Sequence, residues 1–459
     1  MKKPNIIIVL IDAARPDHFS CYGHERITTP NIDRIASEGI VFENAISTAG
    51  WTLPSHTSLF TGTYVSKHGV HNENQVFKGT LPTMPAALKS AGYKTAGFCR
   101  NYWISDATGL TNGFSEFYDI HYTGFQRKIR RFINNIRLNG RDSWTFEINR
   151  AVCKWLRQNA SGDPFFMFVH YSQLHLPYSI PAPFNTMFLP DDVSYEQASR
   201  VNQNPKAFYA GEVAMGPEEF EISRALYDCS LAYMDHRVKD LYDELKTDGI
   251  LDDTLFIITS DHGESLGDHG HFDHYYVLYD SLIKVPLIIR YPDKIDPGMR
   301  NDSIVQTLDI FPTVGKMLEL PDESLREIQG LPLPPFSDET KHRTFSISER
   351  YQDLVGLRNS YPDRDLGHLA KFEKDRKIAI RTKKHKLILS QNYESELFDL
   401  EKDPEENHNI IESNAHIAAD LESKISEWRA SFTAAKIDGN EANFDETVRK
   451  RLEALGYLG

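Results

Sequence analysis

Cysteine is scarce in this chain: four residues in 459, at Cys21, Cys99, Cys153 and Cys229, with no metal or disulfide spacing between them. That scatter argues against a disulfide-stapled scaffold and points to free thiols in a reducing compartment. Long apolar runs are lacking too, and none approaches the ~20 residues of a membrane span. The opening Met1-Lys2-Lys3 and the apolar residues after it imitate a signal peptide. The run stops at Asp12 and Arg15 without a small-residue cleavage site, so it reads as a buried strand of a cytoplasmic protein. Positive charge is in deficit, 51 Lys and Arg against 65 Asp and Glu. The net charge of -14 argues against a nonspecific nucleic-acid partner. Internal repeats and low-complexity segments are absent. What remains, 40% apolar and 25% charged, is an ordinary globular composition with enough chain for one large domain or one and a half.

The residues that can do chemistry stand at the ends of apolar runs. Residues 5–11 are a near-continuous β-branched run, the pattern of a parallel strand buried on both faces. Asp12 follows at its carboxyl end, where open α/β sheets gather ligands; by itself it reads as a helix cap. The stretch Trp51-Thr52-Leu53-Pro54-Ser55-His56-Thr57 starts a helix, with Thr52, Ser55 and Thr57 each able to cap it through a side-chain oxygen. A helix N-terminus suits an anionic ester, and a hydroxyl there becomes a nucleophile if a metal or base lowers its pKa. Residues 255–259 form another buried strand and deliver Asp261 and His262. Asp268, His269, His271, Asp273 and His274 then crowd a polar loop that could bind a second metal.

Further strands are expected at 95–98, 164–169 and 285–290, and helices at 30–39, 82–92, 218–246 and 309–318. Residues 185–215 look like an insertion over the site. A Pro- and charge-rich stretch at 321–341 divides a catalytic α/β domain, 1–340, from an α+β subdomain, 341–459. The latter shows short antiparallel strands at 344–348, 377–381 and 386–389, a turn at Thr382-Lys383-Lys384 and a helix near 414–434. Residues 127–141 are a basic, amphipathic island: a solvated face, a lid, or an anchor on an anionic lipid or glycan surface.

Residues 52–62 resemble the signature of the sulfatase family, in the alkaline phosphatase superfamily: Cys or Ser, any residue, Pro, Ser, Arg, then Leu, Thr and Gly. Pro54, Ser55, Leu59, Thr61 and Gly62 fit it, whereas Thr52 stands for the Cys or Ser and His56 for the Arg. The similarity extends through Asn5–Asp12, Ser260-Asp261-His262-Gly263-Glu264, Asp309–Thr313, Glu396–Leu400 with Asp403-Pro404-Glu405, and the closing Leu455-Gly456-Tyr457-Leu458. It implies an α/β sandwich with a large, mostly parallel central sheet flanked by helices, plus a small C-terminal antiparallel-sheet subdomain. It implies one divalent metal ion on Asp12, Thr52, Asp261 and His262, with His175 protonating the leaving group and His56 and His274 offsetting charge on the ester oxygens. Asn72, Arg100 and Asn101 are the remaining substrate-side candidates. Ala13 stands where most sulfatases carry a second Asp, so the oxygen cage is short by one carboxylate. That favours Mn²⁺ or Zn²⁺, with Mg²⁺ and Ca²⁺ as alternatives.

Thr52 bears on the reaction. Sulfatases oxidise their Cys or Ser to an aldehyde whose hydrate attacks sulfur; a threonine would give a poorly hydrating ketone. The expectation is therefore unmodified Thr52 attacking a phosphodiester or phosphonate monoester, on a carbohydrate or lipid headgroup. This resembles the Thr-dependent phosphodiesterases, phosphonate monoester hydrolases and phosphoglycerol transferases. Two alternatives stand: a sulfatase that works without the aldehyde, and a non-catalytic glycan-binding homologue. A homo-oligomer is left open.

Overall fold

In this computed structural model the residues described are 3–72, 75–79, 81–120, 142, 144–274, 276–337, 343–351, 357, 360–361, 363–367, 369 and 375–434. The basic island at 127–141 and the closing Leu455–Leu458 lie outside them. The strands of the main sheet are β1 (Asn5–Ile11), β2 (Ile40–Ile46), β3 (Lys94–Cys99), β4 (Glu116–Asp119), β5 (Phe165–Tyr171) and β6 (Thr254–Thr259). A two-stranded ribbon, β7 (Ser265–Leu266) and β8 (Phe272–Asp273), precedes β9 (Leu287–Arg290) and β10 (Met299–Gln306), which return to the main sheet. The order across that sheet is β10-β2-β9-β6-β1-β5-β3-β4. Neighbours pair parallel except at β9, which runs against both β2 and β6.

The longer helices are α1 (Pro30–Ser37), α2 (Thr52–Thr61), α3 (Met84–Ser90), α4 (Thr145–Asn159), α5 (Pro217–Thr247), α6 (Ile310–Met317) and α7 (Ala415–Ala430). They cover both faces of the sheet. Ile7, Val9 and Ile11 of β1 enter one apolar layer with α1, α4 and α5, and Ile6, Ile8 and Leu10 enter the other with α2, α3 and α6. This is why β1 reads as an unbroken apolar run: a parallel strand between two helical layers has no solvent face. The expected helix at 82–92 is shorter, because Thr83 caps it with its side chain on Ala86 N and Pro85 sits in the first turn.

A second sheet, β11 (Ser346–Arg350), β12 (Lys377–Arg381), β13 (His385–Ser390) and β14 (Glu396–Asp399), is antiparallel throughout. Ala418, Leu421 and Ile425 of α7 pack on Ile347, Ile378, Ile380, Leu387 and Leu397. Buried charges tie this sheet to Asp280, which precedes β9 of the main sheet. Lys386 Nζ reaches Glu406 Oε1 at 2.6 Å and Asp280 Oδ1 at 2.9 Å, and Arg381 Nε reaches Asp280 Oδ2 at 3.0 Å. Lys386 is fully buried and Glu406 is 2% exposed. Lys386→Met therefore strands a buried carboxylate, and urea unfolding should register a loss of about 3–5 kcal/mol. An unchanged midpoint would mean that Glu406 is already neutral.

Among the described residues no disulfide forms, and no helix is long and apolar enough to cross a membrane.

Candidate active site

Four parallel strands deliver the site at their carboxyl ends. β1 ends in Asp12, β6 in Ser260-Asp261-His262, β3 leads to Asn101, and β5 carries His170 with His175 just beyond. The turn after Asp12 is strained, with Ala13 at φ 61. Tyr227 Oη donates to Ala13 O at 2.8 Å, and Ala14 N donates to Ser260 Oγ at 2.9 Å, which hold that turn against β6. Arg15 reaches Asp268 at 2.7 Å and the Glu264 carbonyl at 2.9 Å, anchoring the loop between β7 and β8.

The helix that begins at Thr52 is not capped as the sequence suggests. Trp51 is its N-cap residue, extended and without a side-chain cap. Ser55 Oγ donates back to Trp51 O, and Thr57 and Thr61 donate to Leu53 O and Thr57 O, each at 2.7 Å. These hydroxyls bond to carbonyls one turn behind because α2 is buried along its whole length and offers them no water. Thr52 Oγ1 instead faces the metal-ligand candidates, 3.4 Å from His262 Nε2.

Asp12, Asp261 and His262 converge there. His262 Nε2 lies 3.4 Å from Asp12 Oδ1 and 3.4 Å from Asp261 Oδ2. Its Nδ1 donates to Gly263 O at 2.8 Å, which leaves Nε2 as the nitrogen with the lone pair. Asp12 Oδ1 and Asp261 Oδ2 are buried without a hydrogen-bond partner. Asn101 Nδ2 donates to Asp12 Oδ2 at 3.0 Å, so Asn101 orients the Asp12 carboxylate. Burial pushes the Asp261 carboxyl well up, and its neighbour Asp12 adds to that. Burial also works to raise Asp12, but the surrounding His170, His175, His262 and His274 outweigh it and hold Asp12 low. Burial pushes His262 down to about 3, helped by His274. Two carboxylates, a neutral imidazole and a hydroxyl with orphaned oxygens between them fit a divalent cation.

A second charged group stands beside this one. His274 has its ring 4.4 Å from His262 and 4.9 Å from His175. Burial opposes its charge, yet the carboxylate of Asp273, in direct contact, raises its pKa well above the ordinary value. Glu264 Oε1 lies 3.5 Å from His274 Nδ1, and burial together with Asp273 pushes Glu264 up to about 8. His274 is thus a buried cation. His56 is not: burial pushes it down to about 3, with His170 adding to the shift, so it presents a lone pair where positive charge was expected.

Asn72 and Arg100 stand differently. The Asn72 backbone N–H donates to Gln75 Oε1 at 3.0 Å in a turn, and the Arg100 guanidinium lies 4.8 Å from the Trp144 ring centroid. His170 and Glu264 were not among the expected site residues. The signal for His170 was there: a lone imidazole ends an apolar run whose strand is buried on both faces.

Residues 4–320 match the sulfatase family, and residues 267–431 match a family described as N-sulphoglucosamine sulphohydrolase, C-terminal. The chain belongs to the sulfatase family, within the alkaline phosphatase superfamily, and its relatives are ester hydrolases. It is 27% identical over 465 residues to an arylsulfatase of Clostridium perfringens, covering 90% of this chain and 91% of that one. It is 24% identical over 500 residues to the multifunctional alkaline phosphatase superfamily protein PehA of Trinickia caryophylli, covering 94% and 96%. The crystal structure of the phosphonate monoester hydrolase of Agrobacterium radiobacter superposes with a TM-score of 0.75 at 22% identity, over 94% of this chain and 96% of the other. The large, mostly parallel sheet and the small C-terminal antiparallel sheet are those of sulfatase structures.

Proposed function

We propose that this protein cleaves or transfers a phosphodiester or phosphonate ester, borne on a carbohydrate or lipid headgroup, through unmodified Thr52. The observation that carries the reading is the placement of Thr52 Oγ1 against His262 at the start of α2, in a chain whose nucleophile position cannot yield an aldehyde. Asp12, Asp261, His262 and Thr52 would hold one divalent cation, Zn²⁺ or Mn²⁺ by their donor set. When bound it supplies Lewis-acid polarisation of an ester oxygen and lowers the pKa of the threonine hydroxyl.

The chain's own residues do the rest. Thr52 Oγ1, its proton already lost to water at the lowered pKa, attacks phosphorus in line as the alkoxide, forming an ester to threonine as the bond to the leaving alcohol breaks. His175 donates Nδ1–H to Leu176 O at 2.7 Å, so its Nε2 is the nitrogen that exchanges a proton, and it gives one to the departing oxygen. Water or an acceptor alcohol then attacks the phosphorus, losing its proton to His175 and freeing Thr52. Protonated His274 offsets charge on the nonbridging oxygens. A single negative charge on a diester or phosphonate monoester matches this charge set better than a dianionic monoester does.

The test is turnover of matched p-nitrophenyl sulfate, phosphate monoester, phosphodiester and phenylphosphonate with added Zn²⁺ or Mn²⁺. Diester or phosphonate turnover is expected, and turnover of sulfate alone would refute phosphorus chemistry. That second reading, a sulfatase working without the aldehyde, has in its favour the C-terminal match across residues 267–431 and the arylsulfatase relative. His175→Ala should cost about 10²–10⁴-fold in kcat with alkyl leaving groups. It should cost far less with p-nitrophenol, which leaves without a proton. Equal losses on both would remove His175 from the acid role.

A further inference from the structure

The small C-terminal sheet meets the rest of the chain across a cleft that the reaction above leaves unused. Its volume is about 760 Å³, within the range of small-ligand sites. One wall comes from the helical turn Val65–His68 and from His71. The other comes from Tyr351 past β11, Arg376 before β12, the end of β13 and Arg429 of α7. Both walls continue from segments that border the candidate active site. His71 precedes Asn72 in sequence, and Arg350, which precedes Tyr351, has its guanidinium 5.5 Å from the ring centroid of Tyr276, two residues beyond His274.

Charge sets this cleft apart. The chain carries a net charge of -14, yet Arg376 and Arg429 line the cleft against the lone carboxylate of Glu422. Among the described residues neither guanidinium forms an ion pair. Arg376 lies over the Tyr351 ring, 5.5 Å from its centroid, and Arg429 donates one N–H to Tyr351 Oη at 3.2 Å. Glu349, buried behind Tyr351, is occupied elsewhere: it accepts from the Ser66 N–H at 2.9 Å, from the Ser66 hydroxyl, and from Tyr351 Oη at 2.8 Å. A guanidinium is a planar fork of five N–H donors that matches a carboxylate, sulfate or phosphate, and most of these donors are uncommitted here.

The rest of the lining suits a sugar. Among the described residues the Gln391 amide is without a hydrogen bond, and Ser395 Oγ accepts from Ser390 N at 3.4 Å, which leaves its own proton to give. His71 Nδ1 donates to Gln75 Oε1 at 2.9 Å, and burial, with Arg376 adding to it, pushes His71 down to about 4. Its Nε2 is therefore an acceptor. An amide, a hydroxyl donor and an imidazole acceptor are partners for sugar hydroxyls, and Leu389 and Phe432 offer apolar surface to the ring. With two guanidiniums, an amide and an imidazole in its lining, the cleft is a poor host for an acyl chain.

We propose that this cleft is a binding subsite for an anionic sugar of a glycan chain, with Arg376 and Arg429 on its carboxylate, sulfate or phosphate and Gln391, Ser395 and His71 on its hydroxyls. The subsite makes carbohydrate, in place of a lipid headgroup, the carrier of the scissile ester. In that respect alone it rests on the reading of the catalytic site.

The experiment is isothermal titration calorimetry of the full chain with tetragalacturonate, sulfated cellotetraose and plain cellotetraose, on wild type, Arg376→Gln and Arg429→Gln. Both arginines are exposed, so the variants should fold, and their melting temperatures check this. At least one anionic tetrasaccharide should bind wild type, and each variant should weaken that binding by about tenfold, as loss of a charge-assisted hydrogen bond does. Plain cellotetraose should bind more weakly than its sulfated form. Anionic binding unchanged in either variant would overturn the proposal, as would equal affinity for cellotetraose or no binding at all. Phosphatidylglycerol vesicles are the last arm: arginine-dependent binding to them, without binding to either anionic tetrasaccharide, would assign the cleft to a lipid surface and overturn the glycan. Calorimetry reads binding without turnover, so failure of the phosphorus chemistry shows only in the p-nitrophenyl assay and failure of the subsite only here.

Discussion

Replacing Thr52 by alanine is expected to lower kcat by on the order of 10⁴–10⁶-fold, the scale on which nucleophile deletions act. The loss should come with the fold intact, because Thr52 Oγ1 makes its described contact with His262 and none with the apolar core. Thr52→Ser keeps a hydroxyl at the start of α2 and should remain within about tenfold of wild type, roughly 1.4 kcal/mol of barrier. Rapid quench with a diester should leave phosphorus on the peptide containing Thr52, and on no peptide of the alanine variant. If Thr52→Ala turned over like wild type, Thr52 would not be the nucleophile and attack by water would have to replace it. A transferase would show the same covalent species, but its decay would accelerate with an added alcohol. That comparison distinguishes hydrolysis from transfer without knowledge of the natural acceptor.

Asp12→Asn should abolish turnover by at least about 10³-fold, some 4 kcal/mol of transition-state stabilisation. It should also leave the metal-free protein somewhat less stable than wild type at neutral pH. The reason is that burial opposes the Asp12 charge but the surrounding histidines outweigh it and hold that carboxyl low. Its charge is therefore favoured in the folded protein, while burial and Asp12 push Asp261 up and relieve the repulsion between the two. Asparagine keeps the shape without the charge, and Asn101 can still reach the remaining oxygen. In wild type, saturating Zn²⁺ or Mn²⁺ should raise the melting temperature, by an amount equivalent to about 2.7 kcal/mol when free metal is 100 times its Kd. In Asp12→Asn that rise should largely vanish. A full metal-dependent rise in the variant would show that Asp12 is not a ligand.

Much of the scaffold was legible along the chain. β1 and β6 are unbroken apolar runs because helices cover both faces of the sheet, and the residues just past them are placed at the carboxyl edge by that same geometry. Strands β2 and β10 were less visible. Their burial mixes inward and outward residues, and they pair with each other across more than 250 residues of sequence. The hydroxyls of α2 misled in the other direction: their residue types suit a cap, but burial of the whole helix turns three of them onto carbonyls. The sign of charge on His56 was also hidden. An imidazole is a cation or a lone-pair donor according to its burial and neighbours, and neither is written in local sequence.

The sequence by itself determined the α/β architecture, the threonine at position 52, and the order in which Asp12, Thr52, Asp261 and His262 are delivered, and its motifs carried the resemblance to the sulfatase family. The architecture and the order follow from local residue type and apolar periodicity, which act over a few residues. Only the tertiary structure decided that Asp273 favours the charged form of His274, and that Asn101 rather than Asn72 bonds the Asp12 carboxylate. It alone brought His56 of α2 to Asp261 and His170 of β5 to Asp12. These residues are separated by tens to hundreds of positions, and their charges and partners are set by distances and burial that exist only once the strands have been brought side by side.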